Sequence, residues 1–260
     1  MGGTNIKRGR GRPPRTAVDY FQTIAWFNSV VDGTGDDSTF RLEKRFQPEN
    51  VKRRDGKLEA SRAWDKYRDG THLPNDGYKK DGRPGPVVAA GMVIPESLYI
   101  YRHPIWRAMR AERLSFEEVV GLLTFFPPFV SRYYLNLETR DRDRQFEAFS
   151  DNVGQEIWID REDDPDRSLD HLAIHLMILK MDNFRHVRAR FQVIAENIAK
   201  TLGPLSISPW FGPIHEELYD WLELNIWRDI FDRHYPHGSQ SVRGWRKCHP
   251  RWLLPHWFIP

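Results

Sequence analysis

Residues 168–180 read Ser-Leu-Asp-His-Leu-Ala-Ile-His-Leu-Met-Ile-Leu-Lys. Leu169, Leu172, Ile174, Leu176, Met177, Ile178 and Leu179 leave this segment apolar on nearly every side. That is the pattern of a helix at the centre of a core. A related helix is predicted over about 184–202, ending at Gly203-Pro204. Pro213 opens another near residues 214–233, with Ile214, Leu218, Trp221, Leu222, Ile226 and Ile230 on one face.

Working back towards the amino terminus, the signals stay helical. Ser115-Phe-Glu-Glu118 is a capping box, and its helix should end at Pro127-Pro128. Pro104 sits at the start of a helix over 105–113, where its missing N–H costs nothing. Thr16-Ala-Val-Asp19 is a second capping box. Behind it Ala17, Tyr20, Ile24, Phe27 and Val31 recur at helical spacing, so a first helix should reach about Val31 and stop at Asp32-Gly33-Thr34-Gly35-Asp36-Asp37. That acidic loop lacks the spacing and terminal glutamate of a calcium loop and reads as a turn.

Shorter helices are expected over 38–47, carrying Phe40, Leu42 and Phe46, and over 61–68. Between them lies a charged stretch with a turn at Arg53-Arg54-Asp55-Gly56. Gln155–Asp160 reads as the one convincing strand, while Phe129–Leu137 is ambiguous between helix and strand. The expected fold is mainly α: an irregular multi-helix globular body with long Gly/Pro-rich loops and a disordered basic tail. Its divisions are the tail 1–15, a small helical subdomain 16–74, a Gly/Pro-rich linker or loop 75–95, and a main helical domain 96–260 with an aromatic and basic end. Residues 38–74 also invite a helix-turn-helix reading with Arg62, Lys66 and Arg68 outward. Their spacing matches no such motif well enough to claim it, and an ordinary helical subdomain explains the same residues.

Composition narrows the class of protein. At 260 residues a sizeable core is within reach. Ten of the 34 aromatic residues are Trp, which calls for large buried surfaces, a partner interface or stacking platforms. The single cysteine, Cys248, excludes an internal disulfide framework and points to a reducing compartment. No window approaches the roughly 18 consecutive apolar residues of a membrane span. The basic start is followed by no apolar segment of the secretory kind. The expectation is a soluble, intracellular protein of cytoplasm, nucleoid or nucleus, with no membrane association and no cofactor.

The charge is unevenly placed. Lys7, Arg8, Arg10, Arg12 and Arg15 put five cations and no acid into the first fifteen residues. The chain is +3 in total and this arm alone +5, so residues 16–260 carry −2. A cationic arm on a nearly neutral body suggests a polyanion as partner. Within it, Arg10-Gly11-Arg12-Pro13 resembles the AT-hook, a minor-groove DNA-binding motif, and matches its Arg-Gly-Arg-Pro centre residue for residue. The resemblance covers residues 7–15 alone.

The chemistry of the arm agrees with that resemblance. Gly11, without a Cβ, lets the backbone approach the floor of a narrow groove. Arg10 and Arg12 then extend along the groove, where A·T tracts concentrate negative potential. Pro13 and Pro14 favour an extended chain and lower the ordering cost. Lys7, Arg8 and Arg15 would meet phosphates on either side. Gly82-Arg83-Pro84 repeats half of the motif, but Asp81 replaces the leading arginine, and a turn is expected there.

Other clusters compete for attention. Arg243, Trp245, Arg246, Lys247, Arg251, Trp252 and Trp257 mix cations with flat rings, as single-stranded nucleic-acid surfaces do. The same residues would serve as interface anchors, or pack their rings on the helical body. His234, His237, Cys248 and His249 are weak zinc candidates, because an adjacent Cys-His pair spaces the ligands poorly. His171 and His175 share a helix face four residues apart but bring neither an intervening glutamate nor an evident third ligand. Acids such as Glu156, Asp160, Glu162, Asp163 and Asp164 read as a solvated loop. No phosphate loop, nucleophile elbow or His-Glu-x-x-His is present, so no catalytic residue is assigned.

Three functional readings follow, in order. The first is a DNA-binding protein with a regulatory or complex-assembly role, its partner A·T-rich DNA. The second is an assembly subunit docking on another protein, or on itself, through its aromatic C-terminal region. The third is a metal-dependent enzyme acting on nucleic acid.

Overall fold

Helix α1 (Ala17–Thr34) starts where the capping box places it. The Thr16 hydroxyl accepts from the Asp19 amide and the Asp19 carboxylate from the Thr16 amide, both at 3.1 Å. Two otherwise orphaned donors are thereby satisfied. The helix runs a turn beyond the end expected at Val31. Gly35, at φ 64°, is the residue that closes it, its amide 2.8 Å from the Val31 carbonyl. Gly33 stays helical because it packs closely on Ile94, where a Cβ would come within 2.6 Å of a side-chain methyl.

The structure is a computed structural model that describes residues 16–128, 165–181, 198 and 201–227. Along these residues α1 is followed by α2 (Thr39–Phe46), a single 3-10 turn at Pro48–Asn50, the antiparallel strands β1 (Lys52–Arg54) and β2 (Lys57–Glu59), and α3 (Ala63–Arg68). Next come α4 (Pro86–Gly91), α5 (Pro95–Arg102), α6 (Ile105–Arg110), α7 (Phe116–Leu123) and α8 (Pro165–Lys180). Residues 201–207 are helical. A 3-10 turn at Gly212–Ile214 then leads into α9 (His215–Leu222) and a π-helical turn over Glu223–Trp227. The fold is mainly α. Among the described residues no helix is long and apolar enough to cross a membrane.

Several expectations change. The charged stretch between α2 and α3 is a β-hairpin and not a turn alone, so the two helices do not form a helix-turn-helix. The helix expected to stop at Gly203-Pro204 passes through it, to residue 207. Proline removes one ladder donor there, and hydroxyls such as Ser206, which donates to the Gly203 carbonyl at 2.6 Å, supply bonds of their own. Helix α7 ends at Leu123, short of Pro127, because the next residues turn and bury Phe126. The Gly/Pro-rich stretch 75–95 carries α4, whose Val87 and Ala90 are fully buried. The turn expected at Gly82 forms, with φ 81° and the Asp81 carboxylate paired with Arg83. The strand expected at 155–160 and the ambiguous 129–137 lie outside the described residues.

Two apolar clusters share α1. Val18, Phe21, Ile24 and Ala25 face the larger one, with α6, α7, α8 and α9 around it. There Leu169, Leu172, Ala173, Leu176 and Met177 of α8 are fully buried, as a helix apolar all round should be. Trp106 of α6 stacks on Phe211 at 6.2 Å and donates to the Ile100 carbonyl at 2.7 Å.

Trp26, Phe27 and Val30 face the smaller cluster, with Leu42, Phe46, Trp64, Val87, Ala90, Ile94 and Tyr101. Its centre is Trp64, stacked on Phe46 at 5.6 Å, 5.5 Å from Trp26, and donating its indole N–H to the Gln47 side-chain oxygen at 3.3 Å. Because Trp64 touches residues of α1 and α2, its removal leaves a cavity that no single helix can close. Trp64→Ala should cost about 3–5 kcal/mol in urea unfolding. A loss below 1 kcal/mol would contradict this packing.

Candidate nucleic-acid interface

The hairpin is built by its turn, not by a core. Asp55 and Gly56 both adopt positive φ, 49° and 77°, the type I′ geometry that matches strand twist and selects Asp-Gly. The register pairs Lys52 with Glu59, Arg53 with Leu58 and Arg54 with Lys57. Side chains alternate along a strand. Lys52, Arg54, Lys57 and Glu59 therefore share one face, and Arg53 and Leu58 the other. Every residue from 52 to 59 is exposed, and Leu58 retains 51% of its surface.

The base of the hairpin is anchored on both sides. Buried Glu43 of α2 accepts from the Ser61 amide at 3.1 Å and from its hydroxyl. Thr39 of α2 donates to Asp65 of α3 at 2.7 Å. On the approaching side, Glu49 pairs with Lys79 at 2.6 Å. Lys79 and Arg83 hold the Glu49 carboxyl below its usual range, against the opposing pull of burial.

The cations around this frame divide into two groups. Arg41 is paired with Asp36 at 2.9 Å, and Arg68 with Asp69 at 3.1 Å. By contrast, Lys44, Arg45, Lys52, Arg53, Arg54, Lys57 and Arg62 make no ion pair among the described residues; Arg53 only donates to the Gly56 carbonyl at 3.4 Å. Arg54 and Lys57 face each other directly. Arg62, Lys66 and Arg68, expected to point outward, are exposed as expected, on α3 and its N-cap and not on a recognition helix.

Most of the sequence-predicted site residues are not among those the structure describes. Lys7, Arg8, Arg10, Gly11, Arg12, Pro13 and Arg15 lie outside the described residues. So do Arg243, Trp245, Arg246, Lys247, Arg251, Trp252 and Trp257, and the zinc candidates His234, His237, Cys248 and His249. His171 and His175 are described. The His175 Nδ1 donates to the His171 carbonyl at 2.7 Å, and the two rings meet edge to face at 6.2 Å. Among the described residues no three potential ligands converge on one point.

One constellation was invisible in the sequence. His103, buried between α5 and α6, donates from Nε2 to the Asp170 carboxylate of α8 at 2.9 Å. Its Nδ1 accepts from the Ile105 amide at 3.2 Å, which fixes the tautomer. The Tyr99 hydroxyl donates to the same carboxylate oxygen, and its ring stacks on Phe125 at 5.1 Å. A histidine–carboxylate pair suggests acid–base chemistry. Here both ring nitrogens are already used inside the protein, so the imidazole has no atom to offer a substrate. The pair ties helices together. No protein-family model, curated protein or solved structure matches this chain.

Three buried histidines make stability depend on pH. Burial lowers the pKa of His103, against the pull of Asp170. Burial and the neighbouring His171 lower His175 to about 4. Burial also lowers His215, against its bond to the Leu202 carbonyl. Below about pH 6.5 the unfolded chain takes up protons that the folded one refuses, so stability present at neutral pH drains away as pH falls towards 4. Urea midpoints should therefore fall across that window. In His175→Asn the slope should be shallower by up to about 1.4 kcal/mol per pH unit. A flat profile in the parent protein would refute the assignment.

Proposed function

We propose that this chain is a DNA-binding protein whose arm, Lys7 to Arg15, engages the minor groove and flanking phosphates of A·T-rich duplex. One observation carries the reading: five cations without an acid, centred on Arg10-Gly11-Arg12-Pro13, precede a body of net charge −2. Arg10 and Arg12 lie in the groove with Gly11 against its floor, while Lys7, Arg8 and Arg15 meet phosphates. The helical body serves regulation or complex assembly, in a compartment that holds DNA. An arm this short binds weakly by itself, so the body or a partner must add to it.

Two full-length variants separate the roles within the arm. In Arg10→Gln/Arg12→Gln, the preference for A·T-rich over G·C-rich duplex should disappear. In Lys7→Gln/Arg8→Gln/Arg15→Gln the preference should persist, while the log–log salt slope of binding flattens by up to about 0.9 per lost phosphate contact, or about 2–3. Fluorescence anisotropy across a salt series reads both. Parent-like binding by both variants would sink the proposal.

A further inference from the structure

We infer that the hairpin Lys52–Glu59 is a second DNA-contacting surface, in which Lys52, Arg53, Arg54 and Lys57 meet the phosphates of duplex DNA. The inference stands apart from the arm and holds whether or not the arm binds.

Three features point to a polyanion. All four cations are exposed, and none makes an ion pair among the described residues; Lys52 alone has an acid, Glu59, opposite it in the register, while Arg53 faces Leu58 and Arg54 faces Lys57. Arg54 stands directly opposite Lys57, and like charges placed so weaken the strand pair that carries them. A two-stranded hairpin without a buried face is already marginal. Phosphates between those two side chains would turn the repulsion into attraction.

The arrangement selects duplex DNA among polyanions. The cations occupy both faces, with Arg53 on the side opposite Lys52, Arg54 and Lys57. A flat anionic surface such as a membrane would meet one face and leave the other in water. A ribbon entering a groove edge-on meets phosphates on both walls. Two strands about 5 Å apart fit a major groove about 12 Å wide. Single-stranded nucleic acid is disfavoured, because residues 51–62 hold no aromatic ring on which a base could stack. The contact is to phosphates, so it adds affinity without sequence preference.

The test uses the full chain with four glutamines, Lys52→Gln/Arg53→Gln/Arg54→Gln/Lys57→Gln, beside the two arm variants. The hairpin variant should flatten the salt slope by about 3–4, equally on A·T-rich and G·C-rich duplexes, and leave the preference between them unchanged. Parent-like slope and affinity would overturn the inference. So would hairpin-dependent binding to phosphatidylglycerol vesicles without any to duplex.

The exposed residues exchanged leave the core intact, so the thermal midpoint should match the parent's. Should the variant unfold, Glu59→Gln decides instead. It removes an acid from the cationic face and should tighten duplex binding at low salt, and an unchanged affinity would overturn the inference. Inert arm variants beside an impaired hairpin variant would remove the arm reading and keep this one; the reverse pattern would do the opposite.

Discussion

Helix α1 is wedged between two apolar clusters, and the described body depends on that constraint. A surface helix buries one stripe and offers the other face to water. Here Phe21 and Ala25 point into the larger cluster, while Trp26 and Val30, a short way along the same helix, point into the smaller. Neither cluster is complete without α1. Polar groups on it reach out as well. The Gln22 amide donates to the Tyr101 carbonyl at 2.7 Å, and Asp19 and Gln22 both receive the Arg110 guanidinium. Trp210 donates to Asp32 at 3.0 Å, and Asn28 to the Trp210 carbonyl at 3.2 Å, near the other end of the helix.

That constraint explains why the most suggestive polar constellation is structural. The α5–α6 corner must present Ile100 and Ile105 to the core while changing direction at His103-Pro104. Proline has no N–H to give, and the amide of Ile105 must find an acceptor in a buried place. His103 Nδ1 is that acceptor, which obliges Nε2 to donate, and the Asp170 carboxylate accepts that bond. Burial favours the neutral imidazole, against the pull of Asp170, and a proton added at Nδ1 would remove the acceptor that the Ile105 amide uses. Catalysis would need one of those nitrogens free.

What the sequence disclosed followed from local physics. Both capping boxes form at Thr16 and Ser115, because a hydroxyl and a carboxylate three residues apart close on each other without help from the fold. The apolar run in α8 could only be central. The hairpin escaped notice because Lys-Arg-Arg and Lys-Leu-Glu show no alternation of apolar and polar side chains, and alternation is how strands announce themselves. Its one local signal, Asp55-Gly56, predicts a turn, which forms; the strands follow from the I′ twist of that turn. The His103–Asp170 pair was illegible for another reason. Its members lie 67 residues apart, and their meeting depends on how α5, α6 and α8 pack. Helix α1 outruns its predicted end because Gly33 reads as a breaker, whereas in the fold its missing Cβ lets Ile94 come close.

The hairpin is the place where local consistency fails, and such failures concentrate at sites selected for something other than stability. Folding gains little from Lys52–Glu59. No side chain in it is buried, the repulsive pair Arg54–Lys57 offsets the opposite charges of Lys52 and Glu59, and the turn and the anchored base hold it out. The base, however, is held firmly. Glu43 binds Ser61 from within the core, and Gln47 binds Trp64, the indole at the centre of the cluster that α1 completes. A charged ribbon with an anchored root presents its cations in a defined geometry, which would reduce the entropy lost were phosphates to dock on it. The basic arm joins the same helix at Thr16. In sequence, then, a basic segment precedes the helix on which the root of the cationic hairpin rests. Under the two proposals above, a duplex held at one element would meet the other intramolecularly, with a gain set by the effective concentration that the chain between them imposes.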